Sequence, residues 1–149
     1  MNDFSDSVMV ALLPTKSDWC KQDLPHMTLV FAGETIALRP TIRNEMAKVV
    51  VDIAMANNPV KLKVLGSDIF GDENQVAVFL LEGTPQLMSM RAEVQQWNAS
   101  EHPFRPHVTI GPLEAGPPEV VPLFITFDRI CIGWGDEYLI YPLDNNARA

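Results

Sequence analysis

At 149 residues with 47% hydrophobic content the chain has the length of one domain; a domain of that size buries roughly 68–70% of its unfolded surface, so it needs no disulfide framework, and Cys20 and Cys131 are too few for a structural zinc site. Its 19 acidic residues outweigh 11 scattered basic ones for a net charge of −8, which excludes a broad grip on long nucleic acid, a polyanion that needs a basic surface. No apolar run approaches the ~18 residues that span a bilayer, and residues 1–7 are acidic and polar where a secretory leader is basic and then apolar, so the expectation is a soluble cytoplasmic protein with reduced thiols and no membrane partner.

Residues 8–13 form an apolar run closed by Pro14, which predicts a buried first strand. A polar loop over 16–24 carries Trp19 and leads into Pro25-His26-Met27-Thr28-Leu29, read as a strand over 26–31 that stops at Ala32-Gly33-Glu34. Ile42, Met46, Val49, Val50 and Ile53 recur at helical spacing after Pro40, and Asn57-Asn58-Pro59 ends the pattern, predicting a helix over 39–56 with Arg43, Glu45, Lys48 and Asp52 on its solvated face. Two β-rich stretches, 60–70 and 75–81, flank Gly71-Asp72-Glu73-Asn74 as a hairpin. Thr84-Pro85 starts a second helix with a stripe of Leu87, Met90, Val94 and Trp97, ending near Ala99.

A loop over 100–105 delivers the chain to a second strand, 107–110, and the glycines and prolines of 111–118 require a further loop. Two last strands, 120–134 and 137–141, pair across Gly135-Asp136, the first with an interruption near Asp128; residues 145–149 are expected to fray. Strands and helices in this order, without a βαβ rhythm ending in a glycine-rich phosphate loop, give an α+β fold with mostly antiparallel sheet. No linker or low-complexity segment divides the chain, so residues 1–149 are expected to form a single domain.

The second strand repeats the first motif: Pro106-His107-Val108-Thr109-Ile110 matches Pro25-His26-Met27-Thr28-Leu29, and the two copies hold two of the three histidines. In a strand, alternate side chains share a face, so His26 with Thr28, and His107 with Thr109, point forward while the aliphatic residues point into the core. Two such strands side by side make a groove with an imidazole and a hydroxyl from each side. One neutral imidazole can take a proton from an attacking hydroxyl or water while the other, protonated, gives one to the leaving oxygen. The threonine hydroxyls donate to the non-bridging oxygens as charge builds. The scheme needs no metal and no cofactor, and it leaves open which histidine is acid and which is base.

These paired motifs, and the run Phe104-Arg105-Pro106-His107-Val108-Thr109-Ile110 in particular, resemble the two-histidine (2H) phosphoesterase superfamily, which includes RNA 2′,3′-cyclic phosphodiesterases and phage enzymes that degrade cyclic oligonucleotide immune signals. The resemblance implies a bilobal α+β fold, two mostly antiparallel sheets flanking a central cleft with helices outside and two pseudo-symmetric lobes. It also implies metal-independent phosphodiester chemistry with catalytic roles for His26, Thr28, His107 and Thr109. The expected substrate is a short cyclic nucleotide or oligonucleotide: a cyclic di- or trinucleotide signal is ranked ahead of RNA ends with 2′,3′-cyclic phosphates, because of the acidic surface and small size. The alternative is a nucleotide-binding module that sequesters a signal without turnover; such a module is expected to have lost a histidine or threonine, and all four are present.

Three further residues are assigned to the substrate. Arg105 lies two positions before His107 and so shares its face, as a phosphate contact or equally a surface arginine; Trp19 and Tyr138 are placed at the cleft border as stacking surfaces for a base, with core packing the commoner use of such residues. Phe104 and Trp134 are equally compatible with core packing, and Glu137 with a ribose hydroxyl or with water. His102 has no matching threonine and reads as a loop residue; a zinc site made from His102, His107 and a carboxylate lacks a recognised ligand spacing. No protein partner is indicated.

Overall fold

The structure, a computed structural model, describes residues 6–144; the fraying expected at 145–149 lies outside the described residues. The apolar and alternating stretches become strands and the two periodic stretches become helices, in the order β1 (Ser7–Pro14), β2 (Met27–Glu34), α1 (Pro40–Ala56), β3 (Val60–Phe70), β4 (Val76–Leu81), α2 (Pro85–Val94), β5 (His107–Pro112), β6 (Phe124–Trp134) and β7 (Glu137–Pro142). Short 3-10 turns, Thr35–Ala37, Gln95–Trp97 and Leu113–Ala115, follow β2, α2 and β5. Thr84 starts α2 as expected: its side chain accepts a hydrogen bond from the Leu87 amide at 3.2 Å, with Pro85 at the first helical position. Such a cap contributes about 1 kcal/mol.

All strand pairs among the described residues are antiparallel, in the order β2-β1-β6-β3-β4-β5, with β7 added alongside β6. The two halves expected of the sheet are joined through β3, whose residues 60–63 pair with β6 and whose residues 64–70 pair with β4. The two motif strands, β2 and β5, are therefore the two ends of one path. They approach each other to within 8 Å between Cα atoms, so the path bends back on itself and brings the two motifs together.

One continuous core fills the space under the helices. Met46, Val50 and Ile53 of α1 and Leu87, Met90 and Val94 of α2 are buried with Val10, Leu12, Met27, Leu29, Val108 and Ile110. The motif residues expected to point backward do so. The other face of β1 carries Met9, Ala11 and Leu13, which join Cys131 in a second cluster with Leu24 against it. Both faces of β1 are covered, which is why its sequence is a near-continuous apolar run rather than an alternating one.

Several boundaries differ from expectation: β2 runs on through Ala32-Gly33 to Glu34 and β5 takes in Gly111 and Pro112. β6 starts at Phe124 rather than 120 and runs unbroken through Asp128, but its register against β1 shifts there, between Leu13 paired with Arg129 and Pro14 paired with Phe127. Asp128 thus marks a bulge where, along the edge opposite β1, the partner of β6 changes from β3 to β7. The regular part of α2 stops at Val94 and tightens into the 3-10 turn that carries Trp97. His26 sits one residue before β2, at the mouth of the strand.

Candidate active site

Each motif is delivered by a loop that is bonded to the other motif's strand. The loop before His26 docks on β5: the Lys21 amide donates to the Ile110 carbonyl at 2.6 Å, and Lys21 Nζ donates to the Ala115 carbonyl at 3.0 Å. Gly111 permits this approach, since a Cβ there would stand 3.0 Å from Lys21 Cβ. Reciprocally, the Ala99 amide, in the loop before His107, donates to the Phe31 carbonyl of β2 at 2.8 Å. Buried Arg91 of α2 ties the same two segments. Its Nε donates to the carbonyl of Leu29, the residue bulged out of the β1–β2 ladder, and its guanidinium lies 5.0 Å from the Phe104 ring.

The two imidazoles are held in the same way. Nδ1 of His26 lies 2.7 Å from the Leu24 carbonyl, and Nδ1 of His107 lies 2.7 Å from the Arg105 carbonyl, in both cases two residues back along the chain. A carbonyl only accepts, so both Nδ1 atoms carry hydrogen and, in the neutral ring, Nε2 carries the lone pair that exchanges protons. Burial pushes the pKa of each ring below the ordinary histidine range; the carbonyl bond opposes this, and a neighbouring positive charge adds to it, from His107 on His26 and from Arg105 on His107. Thr28 Oγ1 lies 4.0 Å from Met9 Sδ, a soft partner that holds the hydroxyl weakly.

The residues assigned to the substrate separate. Trp19 is a correction: it is 2% exposed, its indole N–H donates to the Lys16 carbonyl at 3.1 Å, and its ring meets Phe79 edge-on in the core, so it presents no face to a ligand. Arg105 is half-exposed and paired with Asp68 at 3.1 Å. Tyr138 lies on the Thr28 face of the sheet, opposite Gly133, which in turn is opposite Met9. A Cβ on Gly133 would meet the Tyr138 ring at 3.2 Å and the Met9 side chain at 3.3 Å, so the phenol ring and the thioether close over the glycine. Phe31 pairs with Met9 from the other side, giving a row of Phe31, Met9 and Tyr138 beside Thr28.

Glu137 faces solvent and bonds Arg43 at 3.2 Å, while His102 is an exposed loop residue. Among the described residues no three His, Cys, Asp or Glu side chains gather to hold a metal, so the zinc grouping around His102 and His107 does not assemble. Sequence reading missed Phe70, whose ring contacts His107 with centroids 4.7 Å apart, and Asp68, which pairs with Arg105. Their signal was present but generic: Asp68 and Phe70 are two apart in a strand, as Arg105 and His107 are.

The model of the 2′-5′ RNA ligase superfamily matches residues 16–130. No curated protein sequence matches the chain. Among solved structures, it resembles Usb1 of Kluyveromyces marxianus, with a TM-score of 0.66 and 13% identity over 93% of this chain and 99% of that one. It also resembles TT0787 of Thermus thermophilus (TM-score 0.63, 17% identity, 92% and 97% covered) and E. coli LigT complexed with NADP+ (0.55, 17%, 93% and 95%). At these identities the structural likeness establishes the fold. The fold and the paired motifs define a two-histidine phosphoesterase, an enzyme of phosphodiester chemistry. The chain belongs to the 2′-5′ RNA ligase superfamily. No helix among the described residues is long and apolar enough to cross a membrane.

Proposed function

We propose that this chain cleaves a phosphodiester in a short nucleotide, with a cyclic di- or trinucleotide signal ranked ahead of RNA ends bearing 2′,3′-cyclic phosphates, by two-histidine acid–base catalysis without metal. The observation that carries the reading is the approach of β2 and β5, the two ends of the sheet path, which bear two imidazoles with the same Nδ1–H anchoring. Nε2 of the neutral ring removes the proton of the attacking oxygen, a ribose 2′-hydroxyl or a water, as the new P–O bond forms. The other ring, protonated, donates from Nε2 to the departing oxygen as the old P–O bond breaks. Thr28 and Thr109 donate to the non-bridging oxygens, where negative charge grows in the transition state.

Charge and surface favour a short substrate. A net charge of −8 opposes a long polyanion, whereas a cyclic nucleotide brings few phosphates. Arg105 supplies a cation beside His107, and the row of Phe31, Met9 and Tyr138 next to Thr28 offers an apolar surface to a base. Stacking on such a surface contributes on the order of 1–3 kcal/mol and tolerates any base.

The test is a panel. Purified protein is incubated with 2′,3′-cyclic mononucleotides, RNA with cyclic ends, and cyclic di- and trinucleotides, and products are identified by mass spectrometry. Cleavage of one or more, unaffected by chelator, is expected. Tight binding of a nucleotide with no product would replace this reading with the sequestering module.

A further inference from the structure

We propose that Phe70 is a positioning residue for His107, clamped in place by the Asp68–Arg105 ion pair. Two alternating pairs meet across the intervening strand β4: Asp68 and Phe70 on β3, and Arg105 and His107 leading into β5. The four side chains interleave. Arg105 Nη2 bonds Asp68 Oδ2 at 3.1 Å, the Arg105 guanidinium lies 5.2 Å from the centre of the Phe70 ring, and the Phe70 ring meets the His107 imidazole at 4.7 Å with the planes inclined at 62°.

Each contact fixes a different freedom. The bond from Nδ1 to the Arg105 carbonyl sets one end of the imidazole, but a single hydrogen bond leaves the ring able to rock about that axis. The Phe70 ring blocks that rocking from the side. Phe70 has the same need, and the guanidinium against its face, itself held by a carboxylate, meets it. The backbone carbonyl that anchors His107 and the side chain that anchors Phe70 both belong to Arg105, so the clamp sets both ends of the imidazole from one residue. First-motif His26 receives different support, from the apolar cluster of Met9, Ala11, Leu13 and Cys131 through Leu24, whose carbonyl bonds its Nδ1. A small displacement of an acid or base from its line to phosphorus reduces turnover without changing affinity, because ground-state binding does not depend on that line.

The inference rests on the acid–base reading above, and its test has an arm that does not. The probes are 2′,3′-cyclic AMP and the base-free diester bis(p-nitrophenyl) phosphate, with Phe70→Ala, Phe70→Leu, Phe70→Tyr and Asp68→Asn compared by kcat and KM. Phe70→Ala is expected to lower kcat about tenfold on both probes with KM within about twofold, Phe70→Leu to lie between, and Phe70→Tyr to restore the rate. Asp68→Asn is expected to lower kcat about threefold, since it loosens the clamp and leaves the ring.

The independent arm is proton NMR of the ligand-free protein: the His107 ring protons, displaced by the Phe70 ring current, should return toward ordinary positions in Phe70→Ala and stay displaced in Phe70→Tyr. Unchanged His107 resonances in a folded Phe70→Ala would overturn the proposal even if the wild type turned over neither probe. A loss confined to KM for cyclic AMP would overturn it too, by making Phe70 a base contact.

Discussion

The two copies of one motif sit in unlike surroundings. Leu24, whose carbonyl anchors His26, packs on the small apolar cluster of β1 and β6; beside His107 stand Phe70 and Arg105, the latter paired with Asp68. Motif and anchoring are identical, down to the 2.7 Å bond to the carbonyl two residues back, so the motif alone dictates the local geometry. What differs is the field. Burial is the largest depressing influence on both rings and the carbonyl bond opposes it on both, but the further cation is Arg105 at His107 and the partner imidazole at His26. A duplicated strand motif can therefore supply two chemically distinct proton-transfer groups.

The largest expected effect tests whether both copies work. His26→Ala and His107→Ala should each lower kcat on 2′,3′-cyclic nucleotides by about 10²–10⁴-fold, with the double variant far short of the product of the two. A single variant with the wild-type rate would break the pair into one working motif and one structural remnant. Next come the hydroxyls. Thr28→Val and Thr109→Val should each cost about 10²-fold in kcat, and a markedly unequal loss would show which side of the groove carries the developing charge.

A smaller effect separates the apolar side from the charged one. Tyr138→Ala should raise KM for a cyclic nucleotide by about 5–100-fold while Tyr138→Phe leaves it unchanged, because stacking on the order of 1–3 kcal/mol uses the ring and not the hydroxyl. An equal rise on a base-free diester would assign Tyr138 to the fold.

The pH dependence follows from the direction of both shifts. Histidine in the unfolded chain titrates near about 6.5, and both rings are depressed below it in the fold, so the unfolded state binds more protons as pH falls. This component of stability is complete above about 6.5 and is lost as pH drops from there through the depressed folded values, which urea unfolding across pH will show. The maximum in kcat/KM should lie on the acid side of about 6.5, since one ring must be protonated and one neutral. A maximum well above neutrality would contradict the burial of both rings. The smallest effect belongs to Glu137→Gln, which removes a solvent-exposed pair with Arg43 and should leave activity unchanged and stability within about 0.5 kcal/mol.

Much of this was readable along the chain, and the failures have a common cause. Repetition of Pro-His-x-Thr nominated both halves of the candidate site, and the strand period put Met27, Leu29, Val108 and Ile110 in the core, where they are. Trp19 was misread because an aromatic residue in a polar loop looks available, yet the loop folds down and inserts the ring against Phe79. Phe70 went unnoticed because an alternating hairpin gives no sign of which strand its partner lies on. Asp128 signalled an irregularity correctly, but the central position of β6 converts a break into a bulge.

Local pattern by itself determined the elements, the face each motif residue occupies and the choice of His26, Thr28, His107 and Thr109 as candidate site residues, because strand alternation and helix period act within a few residues. Only the tertiary structure decided that β2 and β5 end one sheet path and curl together, that each motif's approach loop is bonded to the other strand, and that Phe70 arrives beside His107 while Leu24, the anchor of His26, packs on an apolar cluster. Those contacts join residues far apart in the chain, and no short-range rule of propensity or spacing encodes which distant side chain arrives beside a given ring.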